Sequence, residues 1–166
     1  MRYLYCYKGS QGVDVEETIS CDVFTPGICK GLLLPGETGG VKKIGARLLF
    51  QILTLGKAKV FFVADGGNLM HTSYVVPRCV KFPFMGNGDY EIGPCFTYPQ
   101  YRGKGIYPSV LKAICNCVGD ENTTFYMIVD ENNIASIKGI EKAGFQKCGI
   151  VEVAKFTKRY LLKTKL

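Results

Sequence analysis

No apolar run in this chain approaches the roughly 18 residues that a membrane-spanning helix needs; the longer ones, such as Leu32 to Leu34 and Val60 to Ala64, are a fraction of that. A membrane span is therefore not expected. The opening stretch, MRYLYCYKGS, also lacks the core of about 7 apolar residues that a signal peptide carries, because Tyr and Lys interrupt it. The expected compartment is the cytoplasm. Histidine is almost missing, with His71 the only one, and none of the eight cysteines (Cys6, Cys21, Cys29, Cys79, Cys95, Cys115, Cys117, Cys148) forms a Cys-x-x-Cys pair. Neither zinc nor a disulfide framework is indicated, so no metal and reduced, mostly buried thiols are expected. Acidic residues are outnumbered, 14 Asp and Glu against 21 Lys and Arg, which leaves a net charge of +7. Such a balance suits a phosphate-bearing partner without choosing among nucleic acid, anionic lipid and a polyphosphate cofactor. The aromatics fall in apolar alternation rather than on a basic face, which speaks against nucleic acid.

What is present is an ordinary globular composition, 47% hydrophobic and 21% charged over 166 residues. One domain spanning residues 1–166 is expected. Residues 1 to 8 alternate loosely and read as a strand, whereas 9 to 40 are rich in Gly and Pro and hold no period. From Val41, apolar residues recur at three and four through Ile44, Leu48, Ile52 and Leu55, predicting a helix of about 15 residues closed by Gly56. The run KVFFVADGGNLMHTSYVV then reads as a hairpin turning at Asp65 to Asn68. Tyr90 to Tyr98 is a further strand, interrupted by Gly93-Pro94, which predicts a bulge or a splay. A helix starts near Ile106 and Pro108 and ends at Gly119, and Thr123 to Val129 is a strand buried on both faces. A helix over Asn132 to Ala143, closed by Gly144, precedes two last strands. This alternation predicts an α/β sandwich around a mixed sheet.

The turn between strand and helix, YPQYRGKGIY from Tyr98 to Tyr107, is built to hold an anion. Its glycines let backbone N–H groups converge, a helix N-terminus follows, and Arg102 and Lys104 add charge. The dinucleotide pattern Gly-x-Gly-x-x-Gly fails at Pro108, and a nucleotide P-loop fails because no Gly-Lys-Ser/Thr closes the turn. The segment Arg102-Gly103-Lys104-Gly105-Ile106-Tyr107 instead resembles the acyl-CoA loop of the GCN5-related N-acetyltransferase (GNAT) superfamily: Arg or Gln, two residues, Gly, one residue, Gly or Ala. In this alignment the first two anchors match and Tyr107 stands where a small residue is usual. About 30 residues on, NIASIKGIEKAGF (Asn133 to Phe145) resembles that family's second signature. The resemblance covers the chain from about Lys59 onward and fades over residues 1–57, the expected acceptor-side region.

The resemblance implies a three-layer sandwich: a mixed, mostly antiparallel sheet of about six to seven strands, a splayed central pair, and helices on both faces. It implies acetyl-CoA as donor, with pantetheine on the backbone of Cys95, Phe96 and Thr97. Pyrophosphate would lie on the N–H groups from Arg102 through Gly103, Lys104, Gly105 and Ile106 to Tyr107, and Asn133 could also reach the cofactor. The implied chemistry is transfer of an acyl group to a primary amine of a small metabolite. The stretch HTSYVVPRCVKFPF with YEIGPCFTYPQYRGKGIY is similar to the branch associated with bacterial surface-polysaccharide synthesis, which would imply an amino sugar. Acetylation of a protein amine and a non-catalytic CoA-binding sensor are the alternatives, and a homodimer is left open. Glu91, eleven residues before Arg102, matches the general-base spacing of the histone-acetylating branch, with His71 as rival base. The family's frequent general-acid Tyr falls at Ile140 here, leaving Ser136 and Tyr107 as the nearby hydroxyls.

Overall fold

The computed structural model describes residues 1–9, 21–25 and 54–166, with positions 44, 45, 48, 51 and 52 between them. Those five positions are helical, in keeping with the apolar period that starts at Val41. Among the described residues, eight strands form one sheet: β1 (Arg2–Lys8), β2 (Asp22–Phe24), β3 (Lys59–Asp65), β4 (Asn68–Pro77), β5 (Tyr90–Thr97), β6 (Thr124–Asp130), β7 (Gln146–Val153) and β8 (Tyr160–Lys165). Their order across the sheet is β2-β3-β4-β5-β6-β1-β7-β8. The eighth strand beyond the expected six to seven is β2, three residues on the edge of β3 inside a stretch that carries no period. Two helices, α1 (Ile106–Val118) and α2 (Ile134–Lys142), follow β5 and β6.

β6 shows how alternation builds the layers. Phe125, Met127 and Val129 point into a core shared with α1 and with Ile140, Ala143 and Phe145 at the end of α2. Tyr126 and Ile128 face the other way, onto Val76, Phe82 and Met85. Burial on both sides is what the near-continuous apolar run required. α1 and α2 thus lie on one face, and α2 is tied to the sheet where the Tyr5 hydroxyl donates to Glu141 Oε1 at 2.9 Å. The opposite face is covered by the loop from Arg78 to Asp89, which the sequence presents only as a polar turn. The Asp89 carboxylate holds that loop in place by accepting from Gly86 N at 2.7 Å and Thr124 N at 3.1 Å. The helix around positions 44 to 52 leads to Thr54, which shares an opening with Val76 on this second face; the rest of that helix lies outside the described residues.

Two irregularities position the site. Gly93 and Pro94 together stand opposite Tyr74 alone, since Ser73 pairs with Cys95 and Val75 with Ile92. This is the expected bulge. β5 and β6 run parallel and pair only at Tyr90 with Phe125 and Glu91 with Tyr126. Beyond Glu91 the two strands diverge, and the β6-facing backbone groups of β5 are left without a strand partner.

Candidate active site

A cleft of about 620 Å³ opens where β5 leaves β6. Cys95, Phe96 and Thr97 line it from the strand, Arg102, Gly103 and Gly105 from the turn, and Ile106 and Tyr107 from the start of α1. Asn133 and Ser136 line it from α2. Nearly every residue expected at the cofactor is therefore brought together. Lys104 is the exception: its ammonium lies 5.4 Å from the centre of the Tyr101 ring, and it is not part of the lining.

The backbone corrects the register in which the turn was first aligned. Pro99–Tyr101 forms a single 3₁₀ turn, and Gly103 and Gly105 both adopt φ of 76°, a left-handed conformation that favours glycine. Gly105 is the N-cap of α1. The small residues that fit the resembled signature are therefore Gly103 and Gly105, with Gln100 as the leading residue: Gln100, two residues, Gly103, one residue, Gly105. Tyr107 is not in the third slot but in the first turn of the helix. The N–H groups of Ile106 and Tyr107 stay free of intrahelical partners there, and Pro108, next in line, has none to leave unsatisfied.

Cations complete the anion site differently from expectation. Arg102 folds back, its Nε donating to Thr97 O at 3.1 Å with the guanidinium 5.9 Å from the Phe96 ring centre. Lys138 and Lys142 of α2 also line the cleft. Their spacing of four, which puts both on one helical face, was the available sequence signal. No carboxylate occurs among the described lining residues, so a polyphosphate there would meet no like charge from them.

Asn133 caps α2, its Oδ1 accepting from Ser136 N at 3.2 Å, and also faces the cleft. Tyr107 is held between the helices. A Cβ at Gly139 would come within 2.5 Å of its ring, so the glycine inside α2 exists to let that ring pass. Gly139→Ala is expected to destabilise the fold by about 1–3 kcal/mol through overpacking, read as a lower urea midpoint with unchanged slope.

Behind the cleft runs a buried polar chain. His71 is fully buried, with Nδ1 2.7 Å from Thr97 Oγ1 and Nε2 2.7 Å from Ser73 Oγ. The Cys95 thiol in turn meets the hydroxyls of Ser73 and Tyr107. Burial lowers the His71 pKa to about 4, so the ring is neutral. His71 lines the cleft, but both of its nitrogens are occupied. Burial likewise pushes the Cys95 thiol up to about 12 and the Tyr107 hydroxyl above the usual tyrosine range. Both keep their protons at neutral pH.

Glu91 is absent from the cleft lining. Ile92 points to the α1 face, so Glu91 points to the other, at the fork of the two strands. It is 7% exposed, and burial raises its carboxyl pKa to about 8, against a smaller lowering by Lys81. The solvated carboxylate usual at a strand end is not what is found.

A bulged strand splayed from a parallel neighbour, a left-handed glycine turn and a helix opening over the gap are together the GNAT fold. A GNAT-family acetyltransferase from Colwellia psychrerythraea superposes with a TM-score of 0.61 at 20% identity, over 88% of this chain and 52% of the other. A GNAT-family protein from Novosphingobium aromaticivorans gives 0.54 at 14% identity, over 89% of this chain and 60% of the other. The chain thus spans between about half and three-fifths of the length of these structures. No family model and no curated protein matches the sequence.

Proposed function

We propose that this chain is an acyl-CoA-dependent N-acyltransferase that moves an acetyl group from acetyl-CoA to the primary amine of a small metabolite, with amino sugars the first class to test. The observation that carries this reading is the meeting of the open β5 edge with the Gly103 and Gly105 turn. The edge offers backbone groups to an amide-bearing arm, and the turn offers N–H groups and nearby cations to a pyrophosphate. On this reading residues 1–166 are taken as one catalytic domain.

Direct transfer forms a bond from the amine nitrogen to the acyl carbon and breaks the carbon–sulfur bond, so one amine proton must be taken up and the sulfur must regain one. Glu91, at the fork and on the face away from the cleft, takes the amine proton; its pKa of about 8 suits a base working near neutrality. Tyr107 aims a hydroxyl at the cleft from α1, on the helix next to the one whose Ile140 replaces the expected tyrosine. Because burial makes that hydroxyl hold its proton, Tyr107 serves as a hydrogen-bond donor to charge developing on the departing sulfur, and the proton itself comes from Glu91 through water. Cys95, whose buried thiol keeps its proton beside two hydroxyls, is not assigned as a nucleophile, and transfer is direct. Ser136 has no hydrogen-bond role of its own in this scheme, and His71 supports the cleft wall.

Thiol release from acetyl-CoA with a panel of amines and amino sugars tests the reading. Binding without turnover on any amine would favour a CoA sensor, the reading that Ile140 supports, and no binding at all would defeat both. Basic protein tails are a poorer acceptor class, given the net charge of +7. Tyr107→Phe keeps the ring against Gly139 and is expected to lower kcat about 10²-fold with little change in KM for acetyl-CoA. Unchanged kcat would leave Tyr107 a purely structural residue.

A further inference from the structure

Two openings on the face of the sheet away from α1 merge into one basic pocket. The larger, about 720 Å³, is lined in part by Lys57, Arg78 and Asp89; the smaller, about 340 Å³, in part by Val76, Lys81 and Lys158. Arg159, Thr54, Cys79 and Val80 belong to both. Among the described residues, five cations therefore surround the pocket against one carboxylate. That carboxylate, Asp89, already accepts two backbone N–H groups. Among the described residues none of the five cations is paired with an acid: Arg78 donates to Asn87 Oδ1 at 2.7 Å, and Lys81 lies 5.4 Å from the ring centres of Phe82 and Tyr160.

The cations are gathered by the backbone rather than scattered on a surface. Tyr160 N donates to Lys81 O at 2.9 Å, and Ala154 N to Arg159 O at 2.8 Å, which fixes the β7–β8 turn beside the loop that carries Lys81. Lys158 in that turn has φ of 54°, a left-handed conformation that strains a lysine and that clusters at ligand sites. Like charges held together without counter-charge repel one another, and an anion relieves that repulsion. The floor ties the pocket to the proposed chemistry: Val76 is the register partner of Glu91 across β4 and β5, and Lys81 is the charged neighbour that Glu91 senses.

We propose that this pocket is the acceptor site and that the amine it takes carries a phosphate group, which Arg78, Lys158 and Arg159 hold while the amine reaches Glu91. The assignment rests on the acyltransfer reading for the word acceptor, but not for the anion. Donor and acceptor would then approach the strand fork from opposite faces of the sheet, each anchored by its own phosphate site. Five cations with no acid partner among the described residues exceed what one carboxylate needs, which is why phosphate is the class chosen.

The test uses the full chain saturated with CoA, so that the donor cleft is filled, and titrates inorganic pyrophosphate by calorimetry into wild type, Arg78→Ala/Arg159→Ala and Lys138→Ala/Lys142→Ala. Pyrophosphate should bind the wild type, and the Arg78/Arg159 pair of changes should weaken it about tenfold or more while leaving CoA affinity alone. The Lys138/Lys142 pair should do the reverse. No pyrophosphate binding, or binding indifferent to Arg78 and Arg159, overturns the proposal. If CoA itself fails to bind, the acyltransfer reading falls, and the pyrophosphate titration still decides whether the pocket is an anion site. With turnover in hand, phosphoethanolamine against ethanolamine and glucosamine 6-phosphate against glucosamine should each favour the phosphorylated amine in kcat/KM, by a margin that the Arg78/Arg159 changes abolish. Equal kcat/KM within both pairs also overturns it.

Discussion

Glu91→Gln is expected to lower turnover by about 10²- to 10⁴-fold at saturating acetyl-CoA, the range for loss of a positioned general base. The glutamine is nearly isosteric and keeps the fork packed, so binding of acetyl-CoA should change little. In the wild type, kcat/KM should rise with pH through a step near 8, because only the ionised carboxylate accepts a proton and burial raises its pKa to about 8. In the variant that step should vanish. The stability consequence has the opposite sense. A carboxyl whose folded pKa lies above its unfolded value contributes fully below the unfolded value, and that contribution is lost as pH rises from about 4.5 through 8. The ionised group inside the fold costs on the order of a few kcal/mol at pH 9, so Glu91→Gln should melt higher than wild type at pH 9 and close to it at pH 4. An unchanged rate with this same stability pattern would make Glu91 a buried structural acid, and the base would have to be sought elsewhere.

The order of elements from Lys59 onward was legible because each is punctuated: the Asp65 to Asn68 hairpin, the Gly93-Pro94 interruption, Gly119 and Gly144 at helix ends. The splay was legible for the same reason, since Pro94 removes a donor where the ladder would continue. The two-residue error at the acyl-CoA loop has a physical cause. From Gln100 the whole signature is met, with Gly103 and Gly105 in the small-residue slots, whereas from Arg102 the last slot falls on Tyr107; the backbone agrees with the Gln100 register, left-handed at both glycines and helical at Tyr107. Gly139 carries a further signal, because a glycine inside a helix asks what lies against it, and here it is the Tyr107 ring. The loop from Arg78 to Asp89 could not be read, because Phe82 and Met85 have no period and are buried through long-range contacts, among them the bonds from Thr124 N to Asp89 and from Tyr160 N to Lys81 O. The basic pocket was equally hidden. Its cations come from segments about 80 residues apart in sequence, joined through Tyr160 N and Lys81 O.

His71 carries the second large effect. A neutral imidazole has one N–H donor and one free nitrogen, so it can bridge Ser73 and Thr97 by donating to one hydroxyl and accepting from the other. His71→Leu removes both bonds and leaves the Ser73 hydroxyl in a fully buried position with the Cys95 thiol as its remaining partner. A loss of about 3 kcal/mol is expected at pH 7, read from urea unfolding. His71→Asn restores polar atoms at the site and should recover part of that loss. The two variants share a second property, which neither packing nor hydrogen bonding supplies. In wild type the folded His71 pKa, about 4, lies below the ordinary histidine value of 6.5. The unfolded chain therefore binds a proton that the fold refuses, and stability drains away as pH falls from 6.5 toward 4. At pH 5 that amounts to about 2 kcal/mol. The difference in unfolding free energy between pH 7 and pH 5 should accordingly be smaller by about that amount in both His71→Asn and His71→Leu, since neither side chain titrates. If the wild type and His71→Asn fall equally between these pH values, the imidazole takes its proton inside the fold. A charged ring would then donate from both nitrogens, and Thr97, at the wall of the cleft, would be the hydroxyl that turns to accept.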